Sequence, residues 1–367
     1  MRVLHLHTGN LYGGVETMLT CLQRHVSAMP ECTMTYALTA EGKLAGDLRE
    51  AGGDVIILPP VRLRSLRGIM TARRAVRALI DSGRFDLVVS HSTWTQAVFG
   101  PAVRRTSVPL LFWQHNAFEE RHWIERLASF CPPDFAISNS HYSEGTLSRV
   151  FPRVDSEVVY YPVERPPEAG ESRSAVRSEL QTDDGDTVII QVSRMERWKG
   201  QTLLIDALGH LSGLGGWTCW QVGGAQRDSE RQYEREVHEL ATQKGLADRI
   251  RFTGHRHDVS RLLAAADIHC QPNLMPESFG ITFIEALYRG LPVVTTRMGG
   301  AMEIVEAGSG ILVPTADPVQ LAAALERLIV SARERAALSK KAPARAAELC
   351  HPDAQASRIH AVFSRLT

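Results

Sequence analysis

Long apolar runs, paired cysteines and an excess of either charge are all missing from this 367-residue sequence. Its six cysteines lie far apart, and none belongs to a C-x-x-C pair. That spacing argues against a zinc cluster, a redox dithiol and a secreted disulfide framework, and it favours a reducing compartment.

No uncharged apolar stretch approaches the roughly 18 residues that a membrane span needs. The N-terminus, MRVLHLHTGN, turns polar before the apolar part of a signal peptide could form. Lys plus Arg and Asp plus Glu both total 41, so no overall field attracts nucleic acid. We therefore expect a cytoplasmic protein that binds no nucleic acid and contacts a membrane at most peripherally.

Short apolar segments alternate with longer helical patterns along the chain, which is typical of parallel βαβ units. The length exceeds what one core usually organises, so two domains are expected. The fold class is therefore α/β, with two Rossmann-like domains. The predicted strands are Val3–His7, Cys32–Leu38, Val55–Leu58, Leu87–Ser90, Leu110–Trp113, Phe135–Ser138, Thr187–Val192, Trp217–Val222, Ile250–Phe252, Ile268–Gln271, Val293–Thr296 and Ile311–Val313.

A stretch rich in Pro, Glu, Gly and Ser, 164–174, separates the two series of strands. Beyond Asp317 the sequence predicts helix, with breaks near Pro343 and at His351-Pro352. Open α/β sheets bind ligands at the carboxyl ends of their strands, so we expect the chemistry in a cleft between the two domains. The expected parts are an N-terminal domain, 1–163, a C-terminal domain, 164–350, and a last helix, 351–367, that returns to the first domain.

The most informative segment, Pro276 to Leu287, follows a predicted strand and opens a helix. The first N–H groups of a helix lack partners and its dipole is positive there, so a diphosphate is a natural guest. Gly280 lets the backbone approach such a ligand closely. Taken alone, Glu277 and Glu285 would be interpreted as a helix cap and a solvated helix residue.

The residues E-S-F-G-I-T-F-I-E-A-L resemble the E-x7-E signature of glycosyltransferase family 4, a retaining group with the GT-B fold, in which two Rossmann-like domains face a central cleft. The resemblance implies that Glu277 contacts hydroxyls of the donor sugar and that Glu285 binds the ribose. It also implies backbone contacts to the sugar and diphosphate from Phe279, Gly280, Ile281 and Thr282.

A second basic motif, Ser193 to Gly200, follows the strand Thr187–Val192 and matches the R-x4-K-G pattern of the same family. Arg194 and Lys199 are predicted to stabilise the departing diphosphate without a divalent metal. The alternative is a charged turn on a solvated surface.

The N-terminal domain contributes fewer specific signals. The loop from Gly9 to Glu16 resembles the glycine loop of these transferases, and Gly13 and Gly14 are expected to face the donor. His115 follows an apolar strand and matches a family histidine near the transferred sugar, so we assign it an orienting or charge-stabilising role. His91, which ends a strand, is a weaker candidate for the acceptor pocket.

Two further segments carry open alternatives. The loop around Arg256 resembles the place where family members hold the nucleobase, although a plain surface loop is nearly as plausible. Asp184-Gly185-Asp186 forms a D-x-D triplet, but its polar setting before a strand indicates a turn. Residues 61–84 contain seven arginines and one acid, which suits an anionic membrane or acceptor, unless this is a surface helix with solvated arginines.

The resemblance implies a retaining, metal-independent hexosyltransferase in polysaccharide or glycoconjugate biosynthesis. Its donor would be a nucleotide-diphosphate sugar such as a UDP- or GDP-hexose, and its acceptor a hydroxyl of a glycan, a lipid-linked sugar or a small molecule. No cofactor is expected. A nucleotide-sugar epimerase of the same architecture and an inactive nucleotide-sugar-binding subunit remain alternatives.

Overall fold

The computed structural model describes residues 1–9, 13–61, 64–119, 122–167, 170 and 172–367. Their contacts divide the chain into two compact units. Unit 1 comprises Met1–Glu164 together with Cys350–Thr367, and unit 2 comprises Arg165–Leu349.

Unit 1 is built on a parallel sheet of seven strands in the order β3-β2-β1-β4-β5-β6-β7. Most positions of its central strands are buried, because helices cover both faces of a parallel sheet of this kind. The strands are β1 Arg2–His7, β2 Thr33–Leu38, β3 Asp54–Ile57, β4 Leu87–Ser90, β5 Leu110–Gln114, β6 Phe135–Ser138 and β7 Ser156–Val158.

Helix packing in unit 1 is clearest in its longest helix. There, Ala72, Val76 and Ile80 recur every fourth residue and pack in one core with Leu4 and Leu6. The helices in this part of the chain are α1 Gly14–Arg24, α2 Lys43–Glu50, α3 Leu66–Gly83, α4 Thr93–Val103, α5 Trp123–Ser129 and α6 His141–Glu144.

Unit 2 is built on a parallel sheet of six strands in the order β10-β9-β8-β11-β12-β13. The chain turns from one half of this sheet to the other between β8 and β11, which is where doubly wound sheets bind ligands. The strands are β8 Thr187–Val192, β9 Trp217–Val222, β10 Ile250–Gly254, β11 Ile268–Gln271, β12 Val293–Thr296 and β13 Gly310–Val313.

The remaining helices cover this second sheet, except for the last, which belongs to unit 1 and buries Ile359 and Phe363. Across the residues that the structure describes, no helix combines the length and apolarity needed to cross a membrane. The helices are α7 Arg173–Glu179, α8 Gln201–His210, α9 Asp228–Gln243, α10 Val259–Ala265, α11 Ile281–Tyr288, α12 Ala301–Ile304, α13 Pro318–Val330, α14 Ala332–Cys350 and α15 Pro352–Ser364.

The predicted α/β fold with two Rossmann-like domains is confirmed. Six predicted strands, β4, β6, β8, β9, β11 and β12, have the observed bounds. Strand β7 was not predicted, because its Ser-Glu-Val sequence has no apolar pattern and it forms by pairing with the sheet edge at β6.

The predicted helix break near Pro343 is wrong. Helix α14 runs through this proline, and the break lies instead at Ser331, whose backbone is not helical and whose Oγ accepts a hydrogen bond from the Glu334 amide at 3.1 Å. Losing one backbone hydrogen bond at Pro343 costs less here than giving up the rest of a 19-residue helix.

Buried Arg177 organises the region before β8. Its guanidinium donates to the Asp267 carboxylate at 2.6 Å and to the carbonyl oxygens of Ala265, Asp184 and Asp186 at 3.1, 2.7 and 2.9 Å. The D-x-D triplet is therefore a turn, as predicted, and its carbonyl groups wrap around a cation of the protein itself. Desolvation lowers the pKa of Arg177, and the neighbouring Asp267 carboxylate acts in the opposite direction.

We expect Arg177→Ala to lower the free energy of unfolding by about 3–5 kcal/mol, because buried acceptors would lose their charged donor. Arg173→Ala is the matched control: it also binds Asp267, but its side chain is 44% exposed, so a loss below about 1 kcal/mol is expected. Urea denaturation followed by circular dichroism measures both. Equal losses for the two variants would contradict this account of Arg177.

Candidate active site

Lys199 and Glu277 meet at the carboxyl edge of the unit 2 sheet. Lys199 follows β8, and Glu277 follows the neighbouring strand β11. The Lys199 Nζ donates to Glu277 Oε1 at 2.7 Å, and both side chains are mostly buried, at 11% and 17% exposure. The two motifs, 78 residues apart in sequence, thus form one site.

The second oxygen of the Glu277 carboxylate is held by two amide side chains that sequence reasoning missed. Gln271 Nε2 and Asn273 Nδ2 each donate to Glu277 Oε2 at 3.0 Å. Both are buried at the end of β11. Their position just after a strand was the available signal, but amide residues there do not by themselves indicate a site.

The position of Lys199 depends on the neighbouring Trp198 and Gly200. Its Nζ lies 3.9 Å from the centre of the Trp198 ring, a cation–π contact. Gly200 has φ +75°, and a methyl group there would overlap the carbonyl oxygen of Pro272. The loop after β8 therefore packs closely on the loop after β11.

The glycines that follow β12 fix the backbone of Glu277. The Gly300 amide donates to the Glu277 carbonyl at 2.8 Å. Gly299 has φ +60°, and a side chain at this position would meet the same Glu277 backbone. Two glycines at this turn allow the loops after β11 and β12 to touch.

Helix α11 begins beside this cluster. Gly280, its N-cap, has φ +108°, which a residue with a side chain rarely adopts, and Phe279 before it is buried. Within the described chain, the amides of Gly280, Ile281 and Thr282 donate to no other group. They form the positive end of the helix, as predicted.

Glu285 lies one turn into the same helix. Its carboxyl is partly buried and makes no hydrogen bond or ion pair with any residue that the structure describes. Desolvation raises the pKa of Glu285 to about 7. A carboxylate in such a place can accept hydrogen bonds from hydroxyl groups.

Arg194 and Arg256, which were predicted to contact the donor, pair with acidic side chains of the protein. Arg194 is 42% exposed and pairs with Glu196 at 3.1 Å. Arg256 lies in a network with Asp258 and Glu179, at 2.7 and 2.9 Å, and these bonds raise the pKa of Arg256. Arg256 therefore already serves to connect α7 with the start of α10.

In unit 1, His115 is buried and both of its ring nitrogens are engaged. Its Nδ1 lies 2.6 Å from the hydroxyl of Tyr161 and its Nε2 lies 2.9 Å from Nδ1 of His91. His91 in turn contacts His5 through Nε2 at 2.8 Å. His91, the weaker sequence candidate, and His5 and Tyr161, which were not predicted, thus form a chain with His115.

Asn139 supports one end of this chain. Its Nδ2 donates to the carbonyl oxygen of His115 at 3.0 Å and to the Tyr161 hydroxyl at 3.1 Å. The Tyr161 hydroxyl can in turn donate to His115 Nδ1, in which case His115 Nε2–H donates to His91. Burial lowers the pKa of His115 and His91, so both rings are neutral near pH 7.

The predicted glycine loop is only partly described, since residues 10–12 lie outside the described residues. The Gly13 amide donates to Glu16 Oε2 at 2.9 Å, and Glu16 Oε1 binds His7 at 2.7 Å. Gly14 is exposed at the start of α1. The Gly13 amide is thus already occupied by a carboxylate of the protein.

A cavity of roughly 250 Å³ opens beside the histidine chain. Its lining includes His91, His115, Asn116, His122 and Glu125. These residues come from the ends of β4 and β5 and from α5, so the cavity lies at the carboxyl edge of the unit 1 sheet.

Comparisons with known proteins agree with this geometry. A family profile described as Glycosyl transferases group 1 matches residues 172–345, and one described as Glycosyltransferase Family 4 matches residues 12–165. The lipopolysaccharide core biosynthesis glycosyltransferase LpsE of Rhizobium meliloti (strain 1021) is 30% identical over 167 residues, which are 45% of this chain and 46% of LpsE.

The D-inositol 3-phosphate glycosyltransferase of Salinispora tropica is 29% identical over 311 residues, 75% of this chain and 62% of that protein. The chain thus spans less than two thirds of either relative. The crystal structure of Anabaena HepE in complex with UDP and glucose is 25% identical, with a TM-score of 0.86 over 99% of both chains. The chain therefore belongs to the group 1 glycosyltransferases, which have the GT-B fold.

Proposed function

We propose that this protein is a retaining glycosyltransferase that transfers a hexosyl group from a nucleotide-diphosphate sugar to a hydroxyl acceptor, without a metal ion. The observation that carries the proposal is the Lys199–Glu277 pair beside the open amides of helix α11. Crystal structures of HepE contain UDP and UDP-glucose, which supports a UDP-hexose as the first donor to test.

The donor would bind to groups of unit 2 that the structure already brings together around Lys199 and Glu277. Its diphosphate would take Lys199 and the amides of Gly280, Ile281 and Thr282, its sugar hydroxyls would take Glu277, and its ribose would take Glu285. Arg194, whose own side chain is 42% exposed and which pairs with Glu196, would turn to the diphosphate.

In the proposed reaction, the bond from the anomeric carbon to the leaving phosphate oxygen breaks while the acceptor oxygen bonds to that carbon on the same face. The acceptor proton passes to the departing phosphate oxygen. Lys199, Arg194 and the helix amides stabilise the charge that develops on the diphosphate. Retention of configuration follows without a covalent bond to the enzyme.

The acceptor would bind in the unit 1 cavity beside His91 and His115. Because the hydrogen bonds to Tyr161 and His91 occupy both nitrogens of His115, its role would be to shape and orient rather than to remove a proton. The relatives support an acceptor from glycoconjugate biosynthesis, since LpsE is named for the lipopolysaccharide core.

Release of UDP from UDP-glucose in the presence of a sugar or lipid-linked acceptor tests the reaction. We expect Lys199→Ala to lower kcat/KM about 100-fold or more, because the leaving group would lose its cation. Arg197→Ala is the control, since Arg197 pairs with Glu236 and its side chain is 63% exposed. Added Mg²⁺ or Mn²⁺ should leave the rate unchanged.

Several outcomes would contradict the transferase. A donor sugar epimerised without acceptor would indicate an epimerase, and tight UDP binding without turnover would indicate a binding subunit. Inversion at the anomeric carbon, determined by NMR of the product, would exclude the proposed same-face attack. Equal loss of activity in Arg197→Ala and Lys199→Ala would contradict the proposal that Lys199 stabilises the leaving diphosphate.

Replacing Glu285 by Gln should affect stability and binding in opposite directions. The folded-state pKa of Glu285 is about 7 against 4.5 as reference, so the wild type loses stability as pH rises from about 4.5 to 7. We expect Glu285→Gln to raise the free energy of unfolding by about 1–3 kcal/mol above pH 7, with no gain below pH 4.5. Binding of UDP should weaken, since a neutral amide accepts hydroxyls less well.

Thermal unfolding over this pH range and titration with UDP measure both effects. Glu326→Gln, on an exposed position of α13, is the matched control and should change neither. A stability gain that does not depend on pH would contradict the interpretation of Glu285.

We further propose that helices α3 and α5, which both pack against α4, contact an anionic membrane peripherally. Helix α3 exposes Leu66 and Met70, and α5 with the residue after it exposes Trp123, Leu127 and Phe130. Arg62 of this segment lies outside the described residues. Among the others, Arg73 donates to carbonyls of α4 and is structural, whereas the exposed arginines are Arg64, Arg67, Arg74, Arg77 and Arg84.

We expect Arg67→Ala/Arg74→Ala to weaken binding to phosphatidylserine vesicles about ten-fold or more, at roughly 1 kcal/mol for each arginine. Flotation with and without anionic lipid measures this. Arg231→Ala/Arg235→Ala, on exposed positions of α9 in unit 2, is the control. Equal flotation with neutral and anionic vesicles, or no flotation, would refute the proposed contact.

A further inference from the structure

Three potential metal ligands converge in unit 1 outside the proposed active site. Cys21 is on α1, and His25 follows one turn later at the end of that helix. Glu164 is the last residue of unit 1 before the chain enters unit 2. One ligand atom from each of the three lies within 4.8 Å of the other two.

We propose that Cys21, His25 and Glu164 bind a divalent cation with an affinity for thiolate, with Zn²⁺ as the probe. The pattern escaped sequence analysis because the ligands are not paired cysteines and because Glu164 is 139 residues beyond His25 in the numbering. The site is independent of the proposed sugar transfer.

The distances suit tetrahedral zinc. The Nε2 of His25 lies 3.4 Å from Oε1 of Glu164. Zinc bonds of about 2.0–2.1 Å to nitrogen and about 2.0–2.2 Å to oxygen at the tetrahedral angle place those two atoms roughly 3.4 Å apart. The Cys21 sulfur would complete three protein ligands after a contraction of about 1.3 Å at most from the 4.8 Å limit, and water would take the fourth position.

The other nitrogen of His25 is already oriented as in zinc sites. Its Nδ1 lies 2.7 Å from Oδ1 of Asp353, a carboxylate, so Nδ1 is the protonated nitrogen. Nε2 then faces Glu164 as either a lone pair or a second N–H. A carboxylate behind a ligand histidine is the common outer partner in zinc sites, where it fixes the tautomer.

If Nε2 carried a proton, a charged His25 would pair with both Glu164 and Asp353 without a metal. The Cys21 thiol is the feature that distinguishes a metal site from such an ion pair. An imidazolium bridging Glu164 and Asp353 does not involve Cys21, whose buried thiol is hydrogen-bonded to the Glu164 backbone and lies within 4.8 Å of the other two ligand atoms. Burial raises the pKa of Cys21 to about 12, so a cation must displace the thiol proton on binding.

The local charges balance around a divalent cation. A thiolate at Cys21 and the carboxylate of Glu164 would neutralise it. The remaining charges are Asp353 and Arg24, and Arg24 Nη1 holds the second oxygen of Glu164, Oε2, at 3.1 Å. The site would therefore bury no unpaired charge.

Such a cation would join the two places where the chain leaves and re-enters unit 1. The Val163 amide donates to the Cys350 carbonyl at 3.0 Å, so the two passages already touch. Glu164 belongs to the first passage, and Asp353, at the start of α15, to the second. Bound metal would tie both to α1 through His25.

Isothermal titration of the tag-free, EDTA-treated chain with ZnCl₂ tests the site. We expect one equivalent to bind, with Cys21→Ser weakening binding about 100-fold or more and Asp353→Asn about 10–100-fold. Co²⁺ added to the wild type should give a thiolate-to-metal charge-transfer band, a result that requires no variant. Zinc should also raise the thermal midpoint of the wild type.

The matched controls are Cys32→Ser, another buried cysteine, and His141→Ala, an exposed histidine 3.4 Å from Glu144. Both should bind zinc like the wild type. No zinc uptake, a Co²⁺ spectrum without the band, or equal weakening in the controls would overturn the proposal. The thermal shift produced by UDP, measured on the same samples, reports separately on the sugar site.

Discussion

The contact between Lys199 and Glu277 is the interaction on which the unit 2 site depends. It joins the loops after two neighbouring strands, and each partner keeps the other from being a buried, unpaired charge. Desolvating this pair is costly, and the amides of Gln271 and Asn273 offset that cost by holding the second carboxylate oxygen. The pair forms without ligand, and each partner would have a counterpart in the proposed nucleotide-sugar donor.

Glycine makes this arrangement sterically possible. Gly200 lets the loop with Lys199 lie against Pro272, and Gly299 and Gly300 let the turn after β12 lie against the backbone of Glu277. Gly280 adopts a backbone conformation that starts α11 with its amides open. At Gly200, Gly299 and Gly300 the absence of a side chain allows loops that follow different strands to come into contact.

The sequence predicts the parts of this protein that have a local signal. Strands such as Thr187–Val192 are short segments rich in β-branched apolar residues, and the sequence predicts them with their observed bounds. Strand β7 has no such run and depends on pairing with β6, while α14 continues through Pro343 because of its length and packing. Both outcomes are set by tertiary context, which a window of sequence does not contain.

The same distinction applies to the candidate site. Lys199 and Glu277 belong to recognisable motifs, and the structure brings them together. Gln271 and Asn273 have no motif, because an amide becomes a partner of Glu277 only through the register of β11. Arg256 shows the reverse case: the loop was located, but the acids that occupy its guanidinium come partly from α7, a separate element.

The division of the chain has a consequence for biosynthesis. Unit 2 is continuous in sequence, whereas unit 1 is interrupted by it and is completed only by the segment from Cys350 onward. During translation, the first sheet therefore emerges without helix α15, which supplies Phe363 to its core and Arg358 to the carbonyl of Val158 at its edge strand. Unit 2 is therefore synthesised in full while unit 1 still exposes that apolar surface, so the nascent chain is most prone to misassociation until α15 has been synthesised.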